Sequence, residues 1–144
     1  GDWSRIIEAE VEVSHVEADY ILSGKVDLIR GNDDTVEIVD FKAERKPDME
    51  KDKDSIERYR KQLQLYAYII EQRYALKVSK IQIYYTGETD GKPTIEYDNL
   101  KSDMKTTIKA IDKTVQKIQC KDFTGRATSE KLCKGCDLRH FCGR

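Results

Sequence analysis

The chain has 144 residues, 38% of them hydrophobic and 37% charged, with 26 basic against 27 acidic side chains for a net charge of −1. That length suits one domain with a modest core, and the even charge balance excludes a globally basic nucleic-acid binder, so any such surface would have to be local. No stretch is long and apolar enough for a membrane helix, and the opening residues, "GDWSRIIEAEVEV", lack the basic-then-apolar pattern of a signal peptide.

The chain opens abruptly in strand-like sequence, which suggests a domain excised from a longer protein. Residues 5–16 alternate, Val11 and Val13 against Glu10, Glu12 and Ser14, and predict a half-buried strand. Residues 20–30 and 35–44 are rich in Val and Ile and predict two more strands. They join across "GNDD", where Gly, Asn and Asp tolerate left-handed turn conformations. Residues 45–54, "RKPDMEKDKD", lack an apolar period and read as a mobile charged loop. Ser55 is the expected N-cap of a helix reaching about Leu76, with Ile56, Tyr59, Leu63, Tyr66, Ala67 and Ile70 at helical spacing. "VSKIQIYYTG" (78–87) predicts a strand, "ETDGKP" a turn and "TIEYD" its short partner. Leu100, Met104, Ile108, Ile111, Val115 and Ile118 form one stripe on a second long helix. The order β-β-β-α-β-β-α describes an α/β or α+β layered domain.

Three charges interrupt the second and third strands: Asp27, Asp40 and Lys42. A turn centred on Asn32 and Asp33 sets Asp27 opposite Ile38. Asp27 and Asp40 are then diagonal neighbours on one face, about 7–8 Å apart by Cα, with Lys42 two residues on. A one-residue slip would separate them. Two carboxylates and a backbone carbonyl can hold magnesium or manganese through hard oxygen ligands, and an amine beside them can orient a water and offset developing negative charge. The plainer alternative is a cross-strand ion pair between Lys42 and Asp27 on a solvated face. Val39 and Phe41 alternate with the charges, which suggests a core face and a site face.

"GKVDLI", "VEIVDFKAE" and "QLQLY" together resemble the RecB-like branch of the PD-(D/E)XK nuclease superfamily. Gly24-x-x-Asp27 is similar to its first metal-ligand motif, Asp40-Phe41-Lys42 to its (D/E)-x-K motif, and Gln62-x-x-x-Tyr66 to its Q-x-x-x-Y motif. The resemblance implies a restriction-endonuclease-like fold, a mixed central sheet flanked by helices, and metal-dependent cleavage of DNA. Carried over, Asp27 and Asp40 bind magnesium or manganese, the Phe41 carbonyl adds a ligand and Lys42 is catalytic. Gln62 and Tyr66, one turn apart on one helix face, shape the site or contact DNA, although Tyr66 also reads as a core residue capped by Gln62. Glu10 weakly matches a glutamate common ahead of the first motif. His15 lies in or just after a strand and does not match the helical metal-binding histidine of many relatives.

The four cysteines fall at 120, 133, 136 and 142. Their clustering favours a metal or iron–sulfur site in a reducing compartment over a disulfide scaffold. Cys133-x2-Cys136-x5-Cys142 can grip a metal from a tight loop, and it resembles the closing half of the four-cysteine [4Fe–4S] staple of AddB-type and CRISPR-associated relatives. The fourth ligand would then be a cysteine upstream of Gly1 or Cys120. His140 is a further candidate, and zinc an alternative to the cluster. From Lys117 to Arg144 seven Lys and Arg face three Asp and Glu, which suits phosphate contacts as well as a solvated surface. The expectation is a cytoplasmic DNA nuclease domain, partnered with DNA and with a helicase domain or subunit, acting in repair or recombination, with no membrane association. The rivals are an inactive DNA-binding or scaffolding module and a zinc- or iron–sulfur-stabilised interaction domain.

Overall fold

The structure, a computed structural model, describes residues 4–32, 34–122, 133, 134, 136, 137 and 139. Strands β1 (Ile6–Val16), β2 (Ile21–Asn32) and β3 (Thr35–Lys42) come first, then helix α1 (Lys53–Tyr74). Strands β4 (Lys77–Tyr85) and β5 (Thr94–Asp98) follow, then helix α2 (Lys101–Gln119). This is the order expected from the alternating and helical periods. The strands form one mixed sheet in the order β1-β2-β3-β4-β5, antiparallel throughout except where β3 and β4 run parallel. A parallel pair cannot be joined by a tight turn, and α1 supplies the crossover.

The core lies between α1 and the middle of the sheet. Val36 and Ile38 of β3, Ile81, Ile83 and Tyr85 of β4, and Ala67, Ile69 and Ile70 of α1 are all 0% exposed. Each such aliphatic side chain stabilises the fold by about 1.5–3 kcal/mol through burial. The chain divides into two compact units, Gly1–Ile111 and Asp112–Arg144, with the boundary inside α2. Among the described residues no helix is long and apolar enough to cross a membrane.

Three local expectations change. α1 begins at Lys53, with Asp52 rather than Ser55 at its N-cap. Asp48 Oδ1 accepts the Glu50 and Lys51 N–H groups, and the Ser55 and Ile56 N–H groups reach the Asp52 carbonyl, so the helix is launched by a turn upstream of Ser55. The segment after β3 is anchored rather than mobile. Lys46 Nζ donates to the carbonyls of Lys92 and Thr94 at 3.2 Å, and the Gly87 N–H donates to the Glu44 carbonyl. A Cβ at Gly87 would stand 2.8 Å from the Ala43 carbonyl oxygen, so the close approach requires glycine. On α2, Met104 is buried as expected, but Leu100 is 54% exposed, and Thr107, outside the stripe, is the other buried residue. Leu100 precedes the helix, and the Thr107 hydroxyl donates to Gln64 Oε1 of α1 at 2.6 Å.

Candidate active site

β2 and β3 pair from Asn32↔Thr35 to Leu28↔Val39 and then part. Beyond that point Asp40, Phe41 and Lys42 pair only with Ile83, Tyr84 and Tyr85 of β4. The site sits in this fork. Continued, the register brings Asp27 level with Asp40, not with Ile38, because Asn32 pairs with Thr35 rather than standing in the turn. Gly31 explains the difference. At φ 152 it stands in the ladder opposite Val36, where a Cβ would lie 2.3 Å from the Thr35 carbonyl oxygen. The glycine is spent on a close approach within the hairpin, and the turn moves one residue on. A slip of two positions keeps side chains on their original faces, so the two carboxylates still converge. Asp27 Oδ2 accepts the Phe41 N–H at 2.8 Å, across the mouth of the fork.

The strand alternation also breaks here. Val26 and Ile29, three residues apart, both enter the core, whereas alternation would select Val26 and Leu28. In β1 the pairs Ala9↔Leu28 and Val11↔Val26 flank Glu10, which has φ 55. A side-chain-bearing residue in the left-handed region within a strand is a local strain, and it sits across from Asp27. Glu10 pairs with Lys25 at 3.0 Å, both side chains being exposed.

Asp40 is 7% exposed and lies on the same face of β3 as Val36 and Ile38, the face under α1. The expected division into a core face and a solvated site face therefore does not hold: Val39 is buried, Phe41 is 37% exposed, and the charges occupy the end of the core face. Parallel pairing with β4 is the reason, since it sets Asp40 and Lys42 beside the buried Ile83 and Tyr85. Burial pushes the Asp40 carboxyl above the ordinary carboxylate range, and Lys42 opposes the rise. Lys42 Nζ is 2.6 Å from Asp40 Oδ2, so the ion pair is with Asp40 rather than across the strands with Asp27. Asp40 Oδ2 is buried, and among the described residues the Lys42 ammonium is its close partner. Lys42 also lies over the Tyr59 ring, 4.5 Å from its centroid, and the Tyr59 hydroxyl donates to Glu44 Oε1 at 3.3 Å. The Tyr85 hydroxyl is buried without a partner, and burial, followed by the charge of Glu44, pushes it up to about 12.

Gly24 and Tyr66 explain each other. A Cβ on Gly24 would lie 2.2 Å from Tyr66 Cε1, so the glycine makes room for the ring. Tyr66 is a buried member of the core, and its hydroxyl accepts from Gln62 Nε2 at 2.8 Å. These two motif positions thus meet in a packing contact three residues before Asp27. Sequence reasoning missed Glu44, Tyr85 and the role of Tyr59 beside Lys42. The signal available was the period-2 line Asp40, Lys42, Glu44 and the aromatic Tyr59 one turn ahead of Gln62.

The family model described as the PD-(D/E)XK nuclease superfamily matches residues 2–143. The chain belongs to this superfamily. A solved structure described as "Crystal structure of SSO0001" is similar to it with a TM-score of 0.60 and 18% sequence identity, over 94% of this chain and 59% of that one. That likeness bears on the fold, a mixed five-stranded sheet flanked by helices as in restriction endonucleases. The chain therefore spans about three-fifths of the solved structure it matches. No curated protein matches it. Membership suggests nuclease activity.

PD-(D/E)XK nucleases typically use magnesium or manganese, and the donors in the fork fit such a cation. Asp27 and Asp40 offer hard carboxylate oxygens from neighbouring strands, and Asp40 Oδ2 is buried at the Lys42 ammonium. Among the described residues no three His, Cys, Asp or Glu gather into one cluster. His15 is engaged elsewhere, 3.7 Å from Glu17 and edge-on to the Tyr68 ring. Cys133 and Cys136 share one turn, the Cys136 N–H donating to the Cys133 carbonyl at 3.2 Å, and Cys120 is exposed. Cys142 and His140 lie outside the described residues.

Proposed function

We propose that the chain is the RecB-like nuclease domain of a DNA-processing protein and hydrolyses DNA phosphodiesters with magnesium or manganese. The observation that supports this reading is the buried Asp40 carboxylate paired with Lys42 and level with Asp27 in the fork. Asp27 and Asp40, with the Phe41 carbonyl, would hold the cation, which when bound supplies a polarised water and offsets charge on the phosphoryl oxygens. Lys42 keeps three N–H donors on a flexible stem, suited to orienting that water or a nonbridging phosphate oxygen. Asp27 also braces the Asp40–Phe41 peptide through the Phe41 N–H. Tyr66 and Gln62 hold β2 in place ahead of Asp27.

The test is cleavage of single-stranded and duplex DNA with magnesium or manganese by wild type, Asp40→Ala and Lys42→Ala. Either substitution should reduce cleavage by about a thousandfold, the scale for removing a preorganised charge at a reacting phosphate. Equal activity in all three would overturn the assignment. DNA binding without cleavage in any of them would favour an inactive binding module.

The same reading places a [4Fe–4S] cluster on Cys133, Cys136 and Cys142, with a fourth cysteine, Cys120 or one in another part of the protein, and a helicase domain or subunit as partner in a cytoplasmic repair or recombination role. The CxxC turn supports it, since two thiolates from one turn can grip one metal. Metal analysis of the full-length protein purified anaerobically should find iron. Zinc would point to a structural site instead, and neither element would exclude both.

A further inference from the structure

Lys42 has two neighbours for its ammonium in this structure. One is Asp40 Oδ2 at 2.6 Å, on a carboxylate that a divalent cation would bind. The other is the face of Tyr59, with its centroid 4.5 Å away. A divalent cation on the same carboxylate repels the ammonium and loosens its hold on Asp40, so a second anchor serves to keep the ammonium at the site. We propose that Tyr59 is a positioning residue whose ring is the seat of the Lys42 ammonium once Asp40 turns to a divalent cation. The inference rests on the nuclease reading and deepens it.

Three features suit the ring to this task. Its hydroxyl donates to Glu44 Oε1, two residues beyond Lys42 in the bend that follows β3, which ties the ring to the segment that carries the lysine. Tyr59 is partly buried against the core and stands on α1, a rigid element that also bears Gln62 and Tyr66. A ring face attracts the charge without consuming the N–H donors as a carboxylate would, so they remain directed at a phosphate oxygen.

Lysine and aspartate labelled with 13C read the seat directly. The Lys42 Hε signals, identified as those that Lys42→Met deletes, should be displaced upfield by the ring in wild type and in Tyr59→Phe. They should return to the position of free lysine in Tyr59→Leu. Magnesium alone is then added, with the Asp40 13Cγ signal reporting its arrival, and the upfield displacement should persist. Cleavage should show kcat about tenfold lower in Tyr59→Leu, the scale of a desolvated cation–π contact, with KM nearly unchanged and with rescue in Tyr59→Phe. A wild-type Lys42 signal at the free-lysine position, or one that returns there with magnesium, overturns the proposal whether or not Tyr59→Leu folds. A displaced Lys42 signal in a chain that cleaves no DNA would support the seat and overturn the nuclease reading.

Discussion

β2, β3 and β4 carry two charged clusters, and they differ in kind. Arg30, Glu37 and Gln82 form a closed set: Arg30 Nε donates to Glu37 Oε2 at 2.9 Å, Arg30 Nη2 to Gln82 Oε1 at 3.0 Å, and Gln82 Nε2 to Glu37 Oε2 at 3.3 Å. Asp40, Lys42 and Asp27 form an open one, in which a single ion pair, Lys42 to Asp40 Oδ2, joins two of the three and Asp27 turns to the Phe41 N–H. Where the ladder is intact, at Arg30↔Glu37, the polar groups are cross-bonded three ways. Where the ladder parts, beyond Leu28↔Val39, they are not. A cross-bonded network serves structure, and a buried carboxylate held by one flexible ammonium is a place to look for chemistry.

The contrast breaks most visibly in activity. Asp40→Ala should lose cleavage by about a thousandfold, whereas Arg30→Ala should leave the rate per folded molecule unchanged in the same assay. Stability should reverse the order. Arg30→Ala removes two bonds and leaves Glu37 with Gln82 Nε2 alone, and it should cost about 1–3 kcal/mol in urea unfolding, the scale for hydrogen bonds to a charged group; a cost below about 0.5 kcal/mol would show that the closed set is not structural. Gly24→Ala should cost about 1–3 kcal/mol by overpacking against Tyr66, and its cost should be less than additive with Tyr66→Leu if the two motifs meet by packing. The smallest effect concerns pH. Asp40 has its carboxyl raised above the ordinary value, chiefly by burial. Folding then takes up a proton between the ordinary and the raised value, and the ionised form opposes folding at higher pH. Asp40→Asn should therefore be more stable than wild type at neutral pH, with the gain fading as pH falls from the raised value to the ordinary one. A gain independent of pH, measured by urea midpoints, would assign it to something other than this charge.

The sequence by itself determined the element order and the residues of the fork. Alternation marked β1, Val and Ile enrichment marked β2 and β3, the helical period marked α1 and α2, and the spacing of Asp27, Asp40 and Lys42 pointed to the fork, because these patterns are local properties of the chain. It could not set the hairpin register, because the role of Gly31 depends on the approach of Thr35 and Val36 from the other strand. Nor could it show that the face bearing Asp40 is the core face, which follows from parallel pairing with β4 across a crossover. Tyr59 and Glu44 were legible as a helical aromatic and a charged residue after a strand, and only tertiary packing brings them to Lys42. The folded chain alone decides which charges find partners, because a partner distant in sequence is chosen by the sheet and not by spacing.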